Sequence, residues 1–116
     1  MELGWIVEDV MVRVRQRFGS FHALDWPLFL DRIGLQHRHV SELPFPAILS
    51  RRTILVRCGL DAWTTAWLVW HEATHFFLHV GNQFDWLALS CGDLILAKQE
   101  RQACEFARFF PDWSLR

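Results

Sequence analysis

The stretch from Leu60 to Val80 is the most apolar part of the chain, yet it carries Asp61, His71, Glu72, His75 and His79. So many ionisable groups exclude an ordinary lipid-facing span. The spacing instead predicts one long helix, capped by Asp61, running from Ala62 to about Val80 and stopped by Gly81-Asn82. Trp63, Trp67 and Trp70 recur three and four residues apart along it. With no cations interleaved, that stripe reads as core packing rather than a platform for stacking bases. Imidazole and carboxylate groups in such apolar company need partners, so the rest of the chain must fold to meet them.

The 116 residues are 52% hydrophobic and 22% charged, which suits a single domain over residues 1–116 and excludes a solvated, disordered chain. A formal net charge of −1 leaves no surplus of cations for a nucleic-acid backbone. Arg13, Arg15 and Arg17 read as a solvated helix face. Met1 to Trp5 lacks a basic leader, and Glu8 and Asp9 interrupt the apolar run that follows. Cys58, Cys91 and Cys104 are odd in number and lack Cys-x-x-Cys spacing, as expected of small buried thiols in a reducing compartment. The expected location is cytoplasmic, without membrane attachment.

Leu3, Ile6, Val7, Val10, Val14 and Phe18 predict a first helix, stopped by Gly19. A short helix follows through Leu28, Phe29, Leu30 and Ile33, with Asp25 as its N-cap, Pro27 in its first turn and Gly34 at its end. Leu35 to Val40 reads as extended, Glu42 to Pro46 as a proline-punctuated connection, and Ala47–Leu49 with Thr53–Val56 as a hairpin. A turn of helix is expected at Trp86 to Leu89. A last helix from about Ile95 carries Glu100, Ala103, Phe106, Ala107 and Phe110 and is closed by Pro111. The fold class is α+β, with helices packed on one face of a small antiparallel sheet. His22 carries no signal.

His71-Glu72-Ala73-Thr74-His75 is an H-E-x-x-H match inside the long predicted helix. Residues four apart lie one above the other on a helix face, so both imidazoles can converge on one cation. Glu72, offset by one residue, can reach a water held by that cation. Zinc would bring the pKa of such a water toward ~7, and Glu72 could take its proton. A shuffled chain of this composition shows the pattern with a probability of roughly 0.02. His79 continues the series, but two helical turns put its Cα ~12 Å from that of His71, too far for one ion. His37 and His39 share one face of the extended segment, which suits either a second metal pair or a partly exposed strand edge. The strand edge is the plainer reading.

A hydrolytic zinc site wants three protein ligands and one open position. The last helix is the natural donor of the third, with Glu100, Gln102 and Glu105 as candidates. At about 100° per residue, Ala103, Phe106, Ala107 and Phe110 form its buried stripe. Glu105 falls almost opposite, toward solvent. Glu100 and Gln102 flank the stripe, and Glu100 is anionic and lies beside two small alanines that allow a close helix approach. Glu100 is the favoured ligand. Gln102 stays open as the alternative, as does a Glu100 that is merely a surface carboxylate near Arg101.

These motifs together resemble the ImmA/IrrE family of small metallopeptidases. The carrying residues are the hairpin run Ala47 to Val56, the segment His71-Glu72-Ala73-Thr74-His75-Phe76-Phe77-Leu78-His79, and Glu100-Arg101-Gln102-Ala103-Cys104-Glu105-Phe106-Ala107. The last is similar to the family's E-x-[EQ]-A-N-x-F-A helix, with Cys104 where Asn is usual. The resemblance implies a zincin-like minimal fold, zinc on His71, His75 and an acidic third ligand at Glu100, and Glu72 as the acid/base. It also implies a protein substrate, typically a helix-turn-helix repressor encoded nearby on a mobile element. The departures in the last helix and the short length leave a second expectation. That alternative is a zincin-like binding module that grips a regulator without cutting it.

Overall fold

The computed structural model describes residues 3–79 and 93–115. Helix α1 (Leu3–Phe18) has the predicted bounds. Val7 and Met11 are buried along it, and Val10, Val14 and Phe18 pack against the same core. Arg15 does more than meet solvent. Its guanidinium donates to the Phe109 and Phe110 carbonyls at 3.2 Å and lies over the Phe110 ring, fastening α1 to the end of the chain.

Helix α2 (Trp26–Ile33) follows a single 3-10 turn over Ala23–Asp25. Asp25 takes the N-cap position but makes no side-chain capping bond there. The capping acceptor is three residues earlier: His22 Nδ1 accepts from the Leu24 amide at 3.0 Å. Gly34 ends α2 at φ +81°, a conformation open to glycine, and the Leu35 amide donates back to the Leu30 carbonyl at 2.9 Å.

Strands β1 (Gln36–Val40), β2 (Ala47–Ser50) and β3 (Thr53–Arg57) make one sheet in the order β1-β3-β2. The β2–β3 hairpin is antiparallel as expected, but the sheet is mixed. β1 runs parallel to β3, with His37 opposite Ile54 and His39 opposite Val56. The expectation of a purely antiparallel sheet fails because the connection through Pro44 and Pro46 carries β2 to the far side. β3 then returns between the two earlier strands. Arg51, at the hairpin tip, has φ +57°, a strained value for a residue with a Cβ.

Asp61 caps helix α3 (Ala62–Thr74), its Oδ1 accepting from the Thr64 amide at 2.8 Å. The long helix does not stay α-helical. From His75 to His79 the chain forms a π turn. The expected stop at Gly81-Asn82, the turn at Trp86 to Leu89, and Cys91 lie outside the described residues. Helix α4 (Asp93–Phe109) closes the fold, starting two residues before the expected Ile95.

The core sits where α3 meets the sheet, α2 and α4. Trp70, Phe29, Phe106, Leu30, Ile54 and Val56 are its large, fully buried members. The Trp70 indole donates to the Ala23 carbonyl at 2.8 Å, satisfying its polar atom. Trp63 and Trp67 pack, half-buried, against Trp113. Cys58 and Cys104 are exposed rather than buried. Cys104 misses burial because it lies off the Ala103–Ala107 stripe of α4. Among the described residues, no helix is long and apolar enough to cross a membrane.

Candidate metal centre

The inner face of α3 fixes the orientation of its polar face. Thr65, Ala66, Val69, Trp70, Ala73 and Thr74 are buried, which turns His71, Glu72 and His75 toward one flank. The Thr74 hydroxyl returns to the Trp70 carbonyl at 2.7 Å, so that polar group draws nothing from the flank. His71, Glu72 and His75 each offer one ligand atom, and these atoms lie within 4.8 Å of one another, a group that could hold a metal ion. The two imidazole rings stand edge to face, 4.9 Å apart.

Helix α4 supplies the second carboxylate. Ala103 and Ala107 are fully buried, and their small side chains allow α4 to lie close to α3. Glu100, one turn before Ala103, then reaches both rings: its Oε2 is 3.1 Å from His71 Nε2 and its Oε1 is 2.8 Å from His75 Nε2. Of the two residues flanking the stripe, Glu100 is the one whose carboxylate meets the imidazoles. Gln102 is half-buried. Glu105 is also half-buried rather than solvent-facing, because α1 packs there; it shares a hollow with Val7, Glu8, Met11 and Phe109.

Glu72, on the same flank, also reaches the sheet. Its Oε1 accepts from the Leu49 amide at 3.1 Å, and its Oε2 lies 3.3 Å from His71 Nδ1. The Leu49 contribution was invisible in the sequence, since it comes from the backbone of an edge strand whose register no side chain announces. The histidine and both glutamates are electrostatically coupled. Burial lowers the His71 pKa, but its hydrogen bond to Glu72 and the charges of Glu100 and Glu72 outweigh burial and hold it above the ordinary imidazole value.

Two imidazole nitrogens converging on one carboxylate, with a second carboxylate alongside, is a donor set suited to a borderline dication. The same groups can alternatively be satisfied by protons shared between the rings and Glu100. Comparison with family models, characterised proteins and solved structures finds no match to this chain.

Proposed function

We propose that this protein is a zinc-dependent endopeptidase with a zincin-like minimal fold, acting on a protein partner. The resemblance noted from the sequence suggests a helix-turn-helix regulator as that partner. The observation that carries the reading is the Glu100 carboxylate, 3.1 and 2.8 Å from the Nε2 atoms of His71 and His75. Glu100 comes from a helix far away in the chain, and its contact with both rings supports a role as the third ligand.

In this reading His71, His75 and Glu100 hold the ion. Zinc, when bound, supplies Lewis-acid polarisation and a water whose pKa lies near ~7. Glu72 holds and returns a proton. Its carboxylate accepts one as water adds to the peptide carbonyl carbon, and gives it to the departing amine as the C–N bond breaks. The Leu49 amide fixes the orientation of Glu72, and the small side chains of Ala103 and Ala107 set the distance between the ligand-bearing helices.

One observation favours a second reading, a binding module that does not cut. Both oxygens of Glu72 already have partners, Leu49 and His71, so the carboxylate could serve the fold alone. The deciding experiment mixes the zinc-loaded chain with purified helix-turn-helix regulators, any encoded next to its gene first among them, and follows them by mass spectrometry. Peptide-bond cleavage that depends on zinc and is lost in Glu72→Gln supports the endopeptidase. A stable complex with an intact regulator supports the binder, and cleavage that persists in Glu72→Gln removes the role given to that residue.

A further inference from the structure

His37 and His39 take no part in the centre on α3. Residues two apart on a strand project to the same face. In the parallel pairing with β3 their partners are Ile54 and Val56, both fully buried, so the two imidazoles project from the helix-covered side of the sheet. β1 is an edge strand, and both histidines are exposed there.

Trp26 organises them. The His37 ring meets the Trp26 indole edge to face with centroids 4.8 Å apart, and His39 lines a hollow with Leu24, Trp26, Leu60 and Thr65. The indole is itself 8% exposed and held in the core, a rigid wall against the His37 ring and one side of the hollow that His39 lines. Asp31 lines the neighbouring hollow with His37 and adds a negative charge. Burial first, and then the proximity of His39, hold the His37 pKa below the ordinary imidazole value.

We propose that His37 and His39 form a second metal site, chelating one borderline dication of the copper, nickel or zinc class, with water completing the coordination. Imidazole pairs suit these ions, and copper binds most tightly among them. The site is separate from the α3 centre. Thr65, beside His39, precedes His71 by six residues, or ~9 Å along the helix axis. β1 and β2 occupy opposite edges of the sheet, and the Glu72 hydrogen bond is to β2. With two protein ligands and open access, this second site should be the weaker one.

The test uses the full chain, freed of metal and dialysed against Cu²⁺, with bound copper counted by mass spectrometry. A His71→Gln/His75→Gln variant should still bind one copper per chain. Adding His37→Gln/His39→Gln to it should remove that copper, while circular dichroism stays unchanged. Because folding of a fourfold variant is a risk, wild-type protein provides an independent readout. Once one equivalent of Cu²⁺ has filled the stronger α3 centre, a second equivalent should broaden the ring-proton NMR signals of both His37 and His39. The proposal is overturned if the His71→Gln/His75→Gln variant binds no copper. It is equally overturned if copper survives loss of His37 and His39, or if the wild-type signals of that pair stay sharp through the second equivalent. None of these outcomes depends on whether the chain cleaves a protein.

Discussion

The Glu72 carboxylate accepts a hydrogen bond from the Leu49 amide at 3.1 Å, tying the polar flank of α3 to the edge strand β2 across 23 residues of sequence. Glutamine preserves a carbonyl acceptor of the same reach but cannot take up a proton at neutral pH. Glu72→Gln is therefore expected to fold and bind zinc with near wild-type affinity while losing about 100-fold or more of any hydrolytic rate. Isothermal titration with zinc and a cleavage assay, run on one preparation, separate the two effects. Glu72→Ala should in addition lose about 1 kcal/mol of stability, since the Leu49 amide is left without its acceptor.

Glu100 and Gln102 divide cleanly. Glu100→Ala is expected to weaken zinc binding by about 100-fold or more, because it deletes the carboxylate that meets both imidazoles. Gln102→Ala should change affinity by no more than about threefold, since it leaves the carboxylate that meets the imidazoles in place. Competition against a chromophoric chelator measures both. Equal losses would reopen the assignment of the third ligand.

Metal-free protein should respond to pH in a definite direction. The folded-state pKa of His71 is raised above its usual 6.5, so its contribution to stability is fully present below that value. It is lost as pH rises through the folded-state pKa. Urea melts of the metal-free chain should show falling stability as pH is raised from the usual imidazole value of 6.5. His71→Gln should flatten that slope. Zinc affinity should rise across the same window, since the ion competes with the proton.

Helix spacing offers a test that touches no polar group. Ala103 is fully buried between α4 and its neighbours, and Ala103→Leu inserts three carbons where a helix approaches closely. Overpacking of this kind costs about 1–3 kcal/mol. It should also push Glu100 away from the imidazoles, so zinc affinity ought to fall along with the thermal midpoint. Trp70→Phe, by comparison, gives up the bond to the Ala23 carbonyl. It should lower stability by about 1–3 kcal/mol with little effect on metal affinity.

Local chemistry explains what could be read in advance. The apolar spacing over α1, the Gly34 cap, the Asp61 cap and the β2–β3 hairpin each depend on a few neighbouring residues, and each is found where expected. The meeting of Glu100 with His71 and His75 was legible too, because helical phase and two small alanines suffice to place it. What escaped depends on distant pieces of chain. The parallel β1–β3 pairing is set by the course of the Pro44–Pro46 connection, the half-burial of Glu105 by the docking of α1, and the His22 cap by a turn with an atypical acceptor. The π turn at His75–His79 was hidden because an unbroken helical pattern does not report a change of hydrogen-bond step.

The bridge from Glu100 to the two imidazoles spans the join between α3 and the closing helix, with a long interval of sequence between them. A ligand that prefers this arrangement over the unfolded chain necessarily makes the last helix harder to peel away. Resistance of the carboxyl-terminal third to proteolytic trimming should then track the supply of free dications, so that the lifetime of the molecule becomes a gauge of the metal around it.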